Sequence, residues 1–555
     1  MKSLAVNLAC AWALIVTTAA QGQVASTSGT RGLERFEFDT YSTAIINGNF
    51  SKVSKWVAKV TSHFDAEQTP FTEAFAVAME KLATVASDLK NEKSSAKARA
   101  AWADALFEQQ QALREKIRPF RGGSLGTERI GLVLVQTMLE EALLPEGGEK
   151  TFEYAKLTED ELAGAAKGKI RGVHVMSGDI FTQIGAEPLS SHFIAYSQSY
   201  PGLTSHVYVV SEGGPNPEIM EALIEDGVNR RPPTKGQLAR LWVLSLDNPE
   251  ARARVARSVV DFKDQKGIPF VAEGHGTESR LLYDSTMNPQ RMDQGQGCYF
   301  CSALVMRIYQ LAGLLSEEIP YRENKSNWNP LIPGSVEKGL YNEVDVTADR
   351  VPAPGDVLLN SAFKVRAMIL DVDGLRKSRR LRAVIDAFFD LLKANSNGVR
   401  DKLLTAFHQI PKMDVNKAEI LDALAKIKLD DADGQKRIEE IRNAAKESLP
   451  QSANLRQIAF FLTLNSIIQE PALEELKKFE DGLPDKDAKT GEPRLKIASP
   501  GELREAARKF LVDKLDVVRG ALDAVSGNKL GPATEKSTVA EDAALPHNGS
   551  CPGIL

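Results

Sequence analysis

Cysteine is scarce in this chain, which has four among 555 residues. Cys10 lies in an N-terminal apolar run, and the others are Cys298, Cys301 and Cys551. So few cysteines exclude a disulfide framework as the main support of a chain of this length. Without Cys10 the number of cysteines is odd, which predicts at least one free thiol.

An excess of positive charge is also missing, since 69 Lys and Arg face 74 Asp and Glu and the net charge is -5. Nucleic-acid-binding proteins carry clustered positive charge, so we expect no nucleic-acid partner. Beyond the N-terminus there is no apolar run long enough to cross a bilayer. We therefore expect no transmembrane anchor.

The N-terminus has the pattern of a targeting segment. Lys2 precedes an apolar run from Leu4 to Val16, and small residues follow as far as Ala20. A positive residue, a short apolar run and small residues in this order are typical of a secretory signal peptide. Residues 1–20 are therefore predicted to be a signal peptide, and the mature chain is predicted to be exported, either periplasmic or secreted.

The spacing of the apolar residues divides the rest of the chain. The length suggests about three to four domains or subdomains. Helical periodicity predicts a helical N-terminal region over 21–165 and a helical C-terminal region over 375–530, and the polar residues 531–555 are expected to be a flexible tail. Between the helical regions, residues 170–372 form short β-rich runs and few helices, which predicts an α+β domain.

The β-rich runs of the central part follow turn residues. Strands are predicted after the Gly178-Asp179 turn and at 206–210, 219–223, 241–246, 354–359 and 365–370. Asn248 followed by Pro249 is predicted to cap the start of a helix.

The most informative stretch surrounds Cys301. Apolar residues follow it at helical spacing, namely Leu304, Val305, Ile308, Leu311 and Ala312. Cys301 is therefore predicted in the first turn of a buried helix, where free N–H groups and the helix dipole stabilise a thiolate. A nucleophilic thiolate requires a nearby base, and His206 is the best candidate. Glu221, on the next predicted strand, is a candidate to orient the histidine.

Each of these residues also has a purely structural interpretation. His206 alone fits a packed strand histidine, and Cys301 alone fits a small buried hydrophobic residue.

A second cysteine leaves several alternatives open. Cys298 and Cys301 form a Cys-x-x-Cys pair, which fits a redox pair, a disulfide that silences the nucleophile, or half of a zinc site. A zinc site needs two further ligands and His275 is the only nearby histidine, so we expect no metal and no cofactor. Cys298 also has Cys551 as an alternative disulfide partner. Tyr283 and His275 are candidates to line the site, although a packing role for Tyr283 and an exposed loop position for His275 fit equally.

A basic run lies near the start of the C-terminal helical region, at Arg376, Lys377, Arg379, Arg380 and Arg382. Such a run is expected to be a solvated helix face, and contact with an anionic polymer or membrane surface is the alternative.

The segment from about Val173 to Leu370 resembles the permuted papain-like amidases, which are circularly permuted relatives of the NlpC-type cell-wall peptidases. The matching pieces are Ser177-Gly-Asp-Ile-Phe181, Ser205-His-Val207, Glu221-Ala222 with Gly227-Val228, Tyr283-Asp284 and Phe300-Cys-Ser-Ala-Leu-Val305. In this family the histidine strand precedes the cysteine helix. The resemblance implies a permuted papain-like domain with an antiparallel sheet, in which Cys301 is the nucleophile, His206 the base and Glu221 the third polar residue. Ala303 departs from the family, which often has glutamate at that position.

Together the sequence and the resemblance predict an exported cysteine hydrolase of the peptidase or amidase type. Its substrate is expected to be a cell-wall (peptidoglycan-derived) peptide or an acyl compound, cleaved at an amide or ester bond through a thioester. The alternative is a non-catalytic envelope scaffold, in which the helical flanks bind envelope protein partners.

Overall fold

The computed structural model describes residues 36–64, 70–117, 126–154, 168–186, 203–223, 227–233, 236–246, 248–263, 301–314, 354–359, 363–394, 414–416, 452–454, 468–485 and 495–526, together with isolated residues between them. These residues form a mixed α and β structure, as the sequence predicts, with an antiparallel sheet and helices packed around it. None of the helices in these ranges is long and apolar enough to cross a membrane.

The N-terminal region is largely helical, as predicted. Its helices are α1 (Phe38–Ile46), α2 (Phe50–Phe64), α3 (Pro70–Leu89), α4 (Ser95–Ile117) and α5 (Gly126–Leu143). Their apolar faces meet in one core, in which Trp102 donates a hydrogen bond of 2.9 Å from Nε1 to the Tyr41 hydroxyl. That hydroxyl donates in turn to the Met138 carbonyl at 2.8 Å, so buried polar atoms of three helices satisfy one another.

A seven-stranded sheet forms the centre of the molecule. Its strands are β1 (Glu149–Glu153), β4 (Ile180–Gly185), β5 (His206–Glu212), β6 (Glu218–Leu223), β7 (Gly227–Arg231), β8 (Leu238–Ser245) and β9 (Lys364–Asp371), and β2 (Gly168–Ile170) pairs separately with β3 (Val173–Val175). The order across the large sheet is β1-β9-β8-β4-β5-β6-β7, and every neighbouring pair is antiparallel. β1 belongs to the N-terminal region that the sequence predicts to be helical, so that region also contributes a strand.

The two faces of the sheet have separate cores. Alternate residues such as Ile180, Val207 and Trp242 face the helices and join the large core. Their neighbours, among them Phe181 and Tyr208, form a smaller core on the other face with the β2–β3 pair. This alternation is the period-two pattern of strands that are buried on both faces.

Three helices pack against β5, namely α6 (Pro249–Lys263), α7 (Cys301–Leu311) and α8 (Pro354–Leu359). Asn248 caps α6, since its Oδ1 accepts hydrogen bonds from the N–H groups of Glu250 at 2.8 Å and Ala251 at 3.2 Å, which confirms the predicted cap.

The strand predicted at 354–359 is wrong, because the chain forms helix α8 there. Periodicity does not separate a strand from a buried helical turn in so short an apolar run, and Pro354 suits the first turn of a helix.

The C-terminal region contains α9 (Val372–Ala394), α10 (Glu470–Asp481) and α11 (Pro500–Ser526), and a small pair of strands, β10 (Asp414–Asn416) and β11 (Ser452–Asn454). α9 packs on the sheet and on both following helices.

The basic run on α9 is not the solvated face that the sequence suggests. Arg379 donates from Nε to Glu141 Oε1 at 2.6 Å, and Arg380 Nη2 lies 2.7 Å from Glu480 Oε2. Arg376 donates from Nη2 to the Leu144 carbonyl at 2.6 Å. These cations face acidic and carbonyl groups of α5, α10 and the segment after α5, so the run ties helices of both flanks together.

Candidate active site

His206 is the first residue of β5, and the chain just before it is fixed to β4. The Ser205 N–H donates to the Gln183 carbonyl at 2.8 Å, and the Thr204 hydroxyl donates to the same oxygen at 2.9 Å. These bonds fix the backbone from which the imidazole projects. The ring keeps a partly open position, since 19% of the side chain is exposed.

Glu221 lies on β6, the neighbour of β5, and only 3% of its side chain is exposed. Its Oε2 accepts a hydrogen bond of 2.7 Å from His206 Nε2. Its other oxygen, Oε1, accepts from Nε of Arg231 on β7. Both oxygens of this buried carboxylate are therefore occupied, and they hold it between a histidine and an arginine on the two flanking strands.

Cys301 begins α7, which packs against β5 and β6. Buried residues, including Leu304 and Ile308, fix the helix to the core. The Tyr309 hydroxyl donates to the Gly178 carbonyl at 2.6 Å, which attaches the helix to the turn before β4. The Cys301 thiol is free and half-buried.

The imidazole of His206 reaches the sulfur of Cys301. The two side chains are hydrogen bonded, and the backbone N–H groups of Val207 and Ser302 also donate to the sulfur. Because Nε2 of His206 is bonded to Glu221, Nδ1 is the ring nitrogen left for Cys301. The three side chains that the sequence singles out are therefore in contact, in the order carboxylate, imidazole, thiol.

The charges in this group favour the ionised thiol. Burial raises the pKa of Cys301, but the His206 cation, its hydrogen bond and the two backbone N–H groups outweigh burial and lower it below its ordinary value. Burial lowers the pKa of His206, but the Cys301 thiolate and then Glu221 raise it to about 10. Burial likewise raises the pKa of Glu221, while His206 and Arg231 bring it below its ordinary value. These charges thus shift the pair toward a thiolate beside an imidazolium.

The Gly178-Asp179 turn lies beside this site and has a structural role. Gly178 has a φ of +88°, a conformation that glycine adopts without strain. The Asp179 carboxylate is fully buried, where it accepts from the Met176 N–H at 2.9 Å and the Ser245 hydroxyl at 2.6 Å and pairs with Arg366. Its partners are structural, and it does not contact Cys301 or His206 in the contacts that the structure records.

Arg231 is the residue of this site that sequence reasoning missed. It lies two strands away from His206, and its contact with Glu221 depends on the register of the β6–β7 pair, in which Ile219 faces Arg231. The available signal was that only three residues separate the two strands, because an antiparallel neighbour brings one end of β7 beside Glu221.

Several other predicted site residues lie outside the described part of the chain. These are Tyr283, His275, Cys298 and Cys551. Their roles, and the alternatives of a redox pair or a disulfide, stay predictions. Among the residues with described positions, no group of three or more His, Cys, Asp or Glu side chains is arranged to hold a metal ion.

Comparison with known proteins adds no relative from which a function could be transferred. No family profile, curated protein or solved structure matches this chain. Its activity therefore has to be inferred from the chemistry of Cys301, His206 and Glu221.

Proposed function

We propose that this protein is an exported cysteine hydrolase of the permuted papain-like type that cleaves an amide or ester bond. The observation that carries the proposal is the contact chain in which Glu221 holds His206 at 2.7 Å and His206 reaches the thiol of Cys301. A nucleophile, a base and a group that orients the base are the three parts that thiol-based acyl transfer needs. Their positions on a helix N-terminus and two adjacent strands agree with the resemblance of residues 173–370 to that family.

The first half of the reaction forms a thioester. The Cys301 thiolate attacks the carbonyl carbon of the substrate, so a C–S bond forms and the carbonyl electron pair moves onto oxygen. N–H groups at the start of α7 are the donors available to that oxyanion. The electron pair then returns, the bond to the leaving amine or alcohol breaks, and the leaving group takes the proton of His206.

The second half returns the enzyme to its starting state. Neutral His206 takes a proton from water, and the hydroxide oxygen attacks the thioester carbonyl. The C–S bond breaks, a carboxylic acid product leaves, and the sulfur departs as a thiolate beside the newly protonated imidazole. Glu221 stays ionised throughout and stabilises the imidazolium form of His206.

The substrate class follows from export and the resemblance. A protein carried into the cell envelope meets cell-wall peptides, which contain amide bonds, and the family also includes enzymes that act on acyl groups. We therefore favour a peptidoglycan-derived peptide over an acyl ester.

The test of this proposal is the reactivity of Cys301 toward iodoacetamide across pH. The mature protein is labelled with and without prior reduction, and the modified peptides are mapped by mass spectrometry. We expect Cys301 to react rapidly well below the ordinary thiol pKa of about 8.5. The labelled protein and the Cys301→Ala variant are then expected to lose hydrolysis of peptidoglycan fragments and of acyl esters, measured side by side to separate the two substrate classes.

Two outcomes would count against catalysis. In the first, the reduced protein labels at Cys301 only with the pH dependence of an ordinary thiol. In the second, Cys301→Ala complements a deletion strain as well as the wild type does. Either result would favour the scaffold, in which the helical flanks are the working surfaces.

A further inference from the structure

Arg231 stands out among the cations near the sheet because its partner is the carboxylate of the proposed triad. Its Nε bonds to Glu221 Oε1, while Oε2 of the same carboxylate accepts from His206. The Arg231 side chain is 33% exposed, whereas Glu221 is 3% exposed. The arginine therefore closes the solvent side of a carboxylate that is otherwise enclosed.

A buried carboxylate with one free oxygen can stop stabilising its histidine in two ways. It can rotate away from the histidine, or it can take up a proton and lose the charge that stabilises the imidazolium. A guanidinium on Oε1 opposes both, because it fixes the plane of the carboxylate and supplies a permanent positive charge.

We propose that Arg231 is a positioning residue that fixes Glu221 with Oε2 turned toward His206 and thereby supports the thiolate of Cys301. This inference rests on the proposed function, since it assigns a role within the same site. In the contacts that the structure records, Arg231 bonds to Glu221 and not to the sulfur, so its effect on Cys301 passes through Glu221.

The other titratable groups around Glu221 fit this role. His206 and Tyr208 approach it from β5, and Arg231 approaches it from β7, while Cys301 on α7 is linked to it through His206. Burial, followed by the charge of Glu221, raises the pKa of Tyr208. The phenol therefore stays neutral and adds no second negative charge beside Glu221. Two permanent cations, Arg171 and Arg231, act on Tyr208, and of these two Arg231 is the one bonded to Glu221.

The neighbouring arginine provides a matched control. Arg230 lies on the same strand, and its side chain pairs with Glu212 and Glu218 instead of Glu221. Removing its charge changes the same edge strand by the same chemistry and leaves the triad contacts in place.

The experiment compares Arg231→Gln, Arg231→Lys and Arg230→Gln with the wild type, by the rate of iodoacetamide labelling at Cys301 between pH 5 and pH 10. We expect Arg231→Gln to slow labelling at pH 6 by about tenfold, the equivalent of one pKa unit, and to approach the wild-type rate at pH 10, where any thiol is ionised. Arg231→Lys keeps the charge but loses the planar guanidinium, so we expect its rate to lie between those of Arg231→Gln and the wild type. Arg230→Gln is expected to match the wild type. Thermal unfolding of each variant accompanies the labelling.

The results separate this inference from the proposed function. A wild-type Cys301 with ordinary thiol behaviour would remove the proposed function itself. If wild-type Cys301 is reactive and Arg231→Gln has the same labelling profile, only the role of Arg231 is overturned. The same conclusion follows if Arg230→Gln slows labelling as much as Arg231→Gln does, or if Arg231→Gln slows it equally at every pH. If Arg231→Gln does not fold, Arg231→Lys decides, since a labelling profile shifted toward that of an ordinary thiol supports positioning by the guanidinium and a wild-type profile contradicts it.

Discussion

Two clusters of buried charge in this protein have similar components and different consequences. In one, Glu221 is 3% exposed and pairs with Arg231; in the other, Glu141 is 3% exposed and pairs with Arg379. The first carboxylate also holds a histidine that reaches a half-buried thiol. The second carboxylate is surrounded by polar side chains from packed helices, including the hydroxyl of Ser42, which donates to Glu141 Oε2 at 2.5 Å.

The difference shows that a buried charge is not by itself a sign of function. Ion pairs between helices hold elements in register, and their cost of desolvation is offset by the partners around them. A site needs in addition a reactive atom whose protonation those charges control and which the substrate can reach. Only the cluster around Glu221 has both among the residues described.

The largest effect is expected at the helical cluster, from Arg379→Met. Arg379 is 8% exposed, and its loss leaves Glu141 as a buried carboxylate without its main cation. Breaking such a pair costs about 3–5 kcal/mol of unfolding free energy, measured by denaturant unfolding. The labelling rate of Cys301 at pH 6 should stay at the wild-type value, and a large fall in that rate in the folded protein would show that the two clusters are coupled.

A control for this prediction is Lys477→Met. Lys477 forms an exposed pair with Asp481 on α10 at 3.7 Å. Pairs of this kind contribute about 0.3–0.5 kcal/mol, so this variant should unfold close to the wild type.

The opposite result is expected for His206→Ala. Removing the imidazole takes away the cation that lowers the pKa of Cys301, so the thiolate fraction at pH 6 falls and labelling should slow by about a hundredfold, at tenfold for each pKa unit. Glu221 keeps its bond to Arg231, so the unfolding free energy should change much less than in Arg379→Met. Comparable destabilisation by the two variants would erase the distinction between the clusters.

The charge of Glu221 can be separated from its hydrogen bond by Glu221→Gln. In the wild type the thiolate–imidazolium pair is the favoured form over the pH range between the lowered pKa of Cys301 and the pKa of His206 at about 10. The raised pKa of His206 contributes to the free energy of unfolding. That contribution is fully present below the ordinary histidine pKa near 6.5 and is lost as pH rises through about 10. Without the Glu221 charge, the upper limit should move down by about one unit, which an NMR titration of the His206 ring would measure. An upper limit that stays in place would assign the shift to Cys301 alone.

The smallest effect is expected from Asn248→Ala, which removes the cap of α6. Two N–H groups lose their acceptor, and the loss should be about 1 kcal/mol of unfolding free energy. Asn248→Asp keeps an acceptor oxygen and should restore most of this stability. Since α6 packs beside α7 without contributing to the triad, the labelling of Cys301 should not change in either variant.

Local features of the site were predictable because they depend on neighbours in sequence. The helix after Cys301 follows from apolar spacing, the cap at Asn248 follows from its side chain and Pro249, and strands at His206 and Glu221 follow from β-rich runs. The strand predicted at 354–359 failed because the short apolar run Val357-Leu-Leu359 fits a helical turn as well as a strand.

Features that depend on distant pairing were not predictable. β1 joins the sheet by pairing with β9, in a register that places Glu149 opposite Asp371. The cations of α9 look solvated in sequence, but the acidic partners of Arg379 and Arg380 lie a hundred or more residues away, as Glu480 does from Arg380. Such contacts are decided by how helices and strands pack, and no local pattern encodes them.

The sequence by itself determined which residues had the chemistry for this site: a scarce cysteine at a helix start, a histidine and a glutamate on neighbouring strands. The tertiary structure decided that these side chains meet, that Arg231 occupies the second oxygen of Glu221, and that the basic run of α9 faces inward. The physical reason is distance along the chain. Propensity and periodicity act over a few residues, whereas a thiol at 301 and an imidazole at 206 come together only when α7 packs against β5.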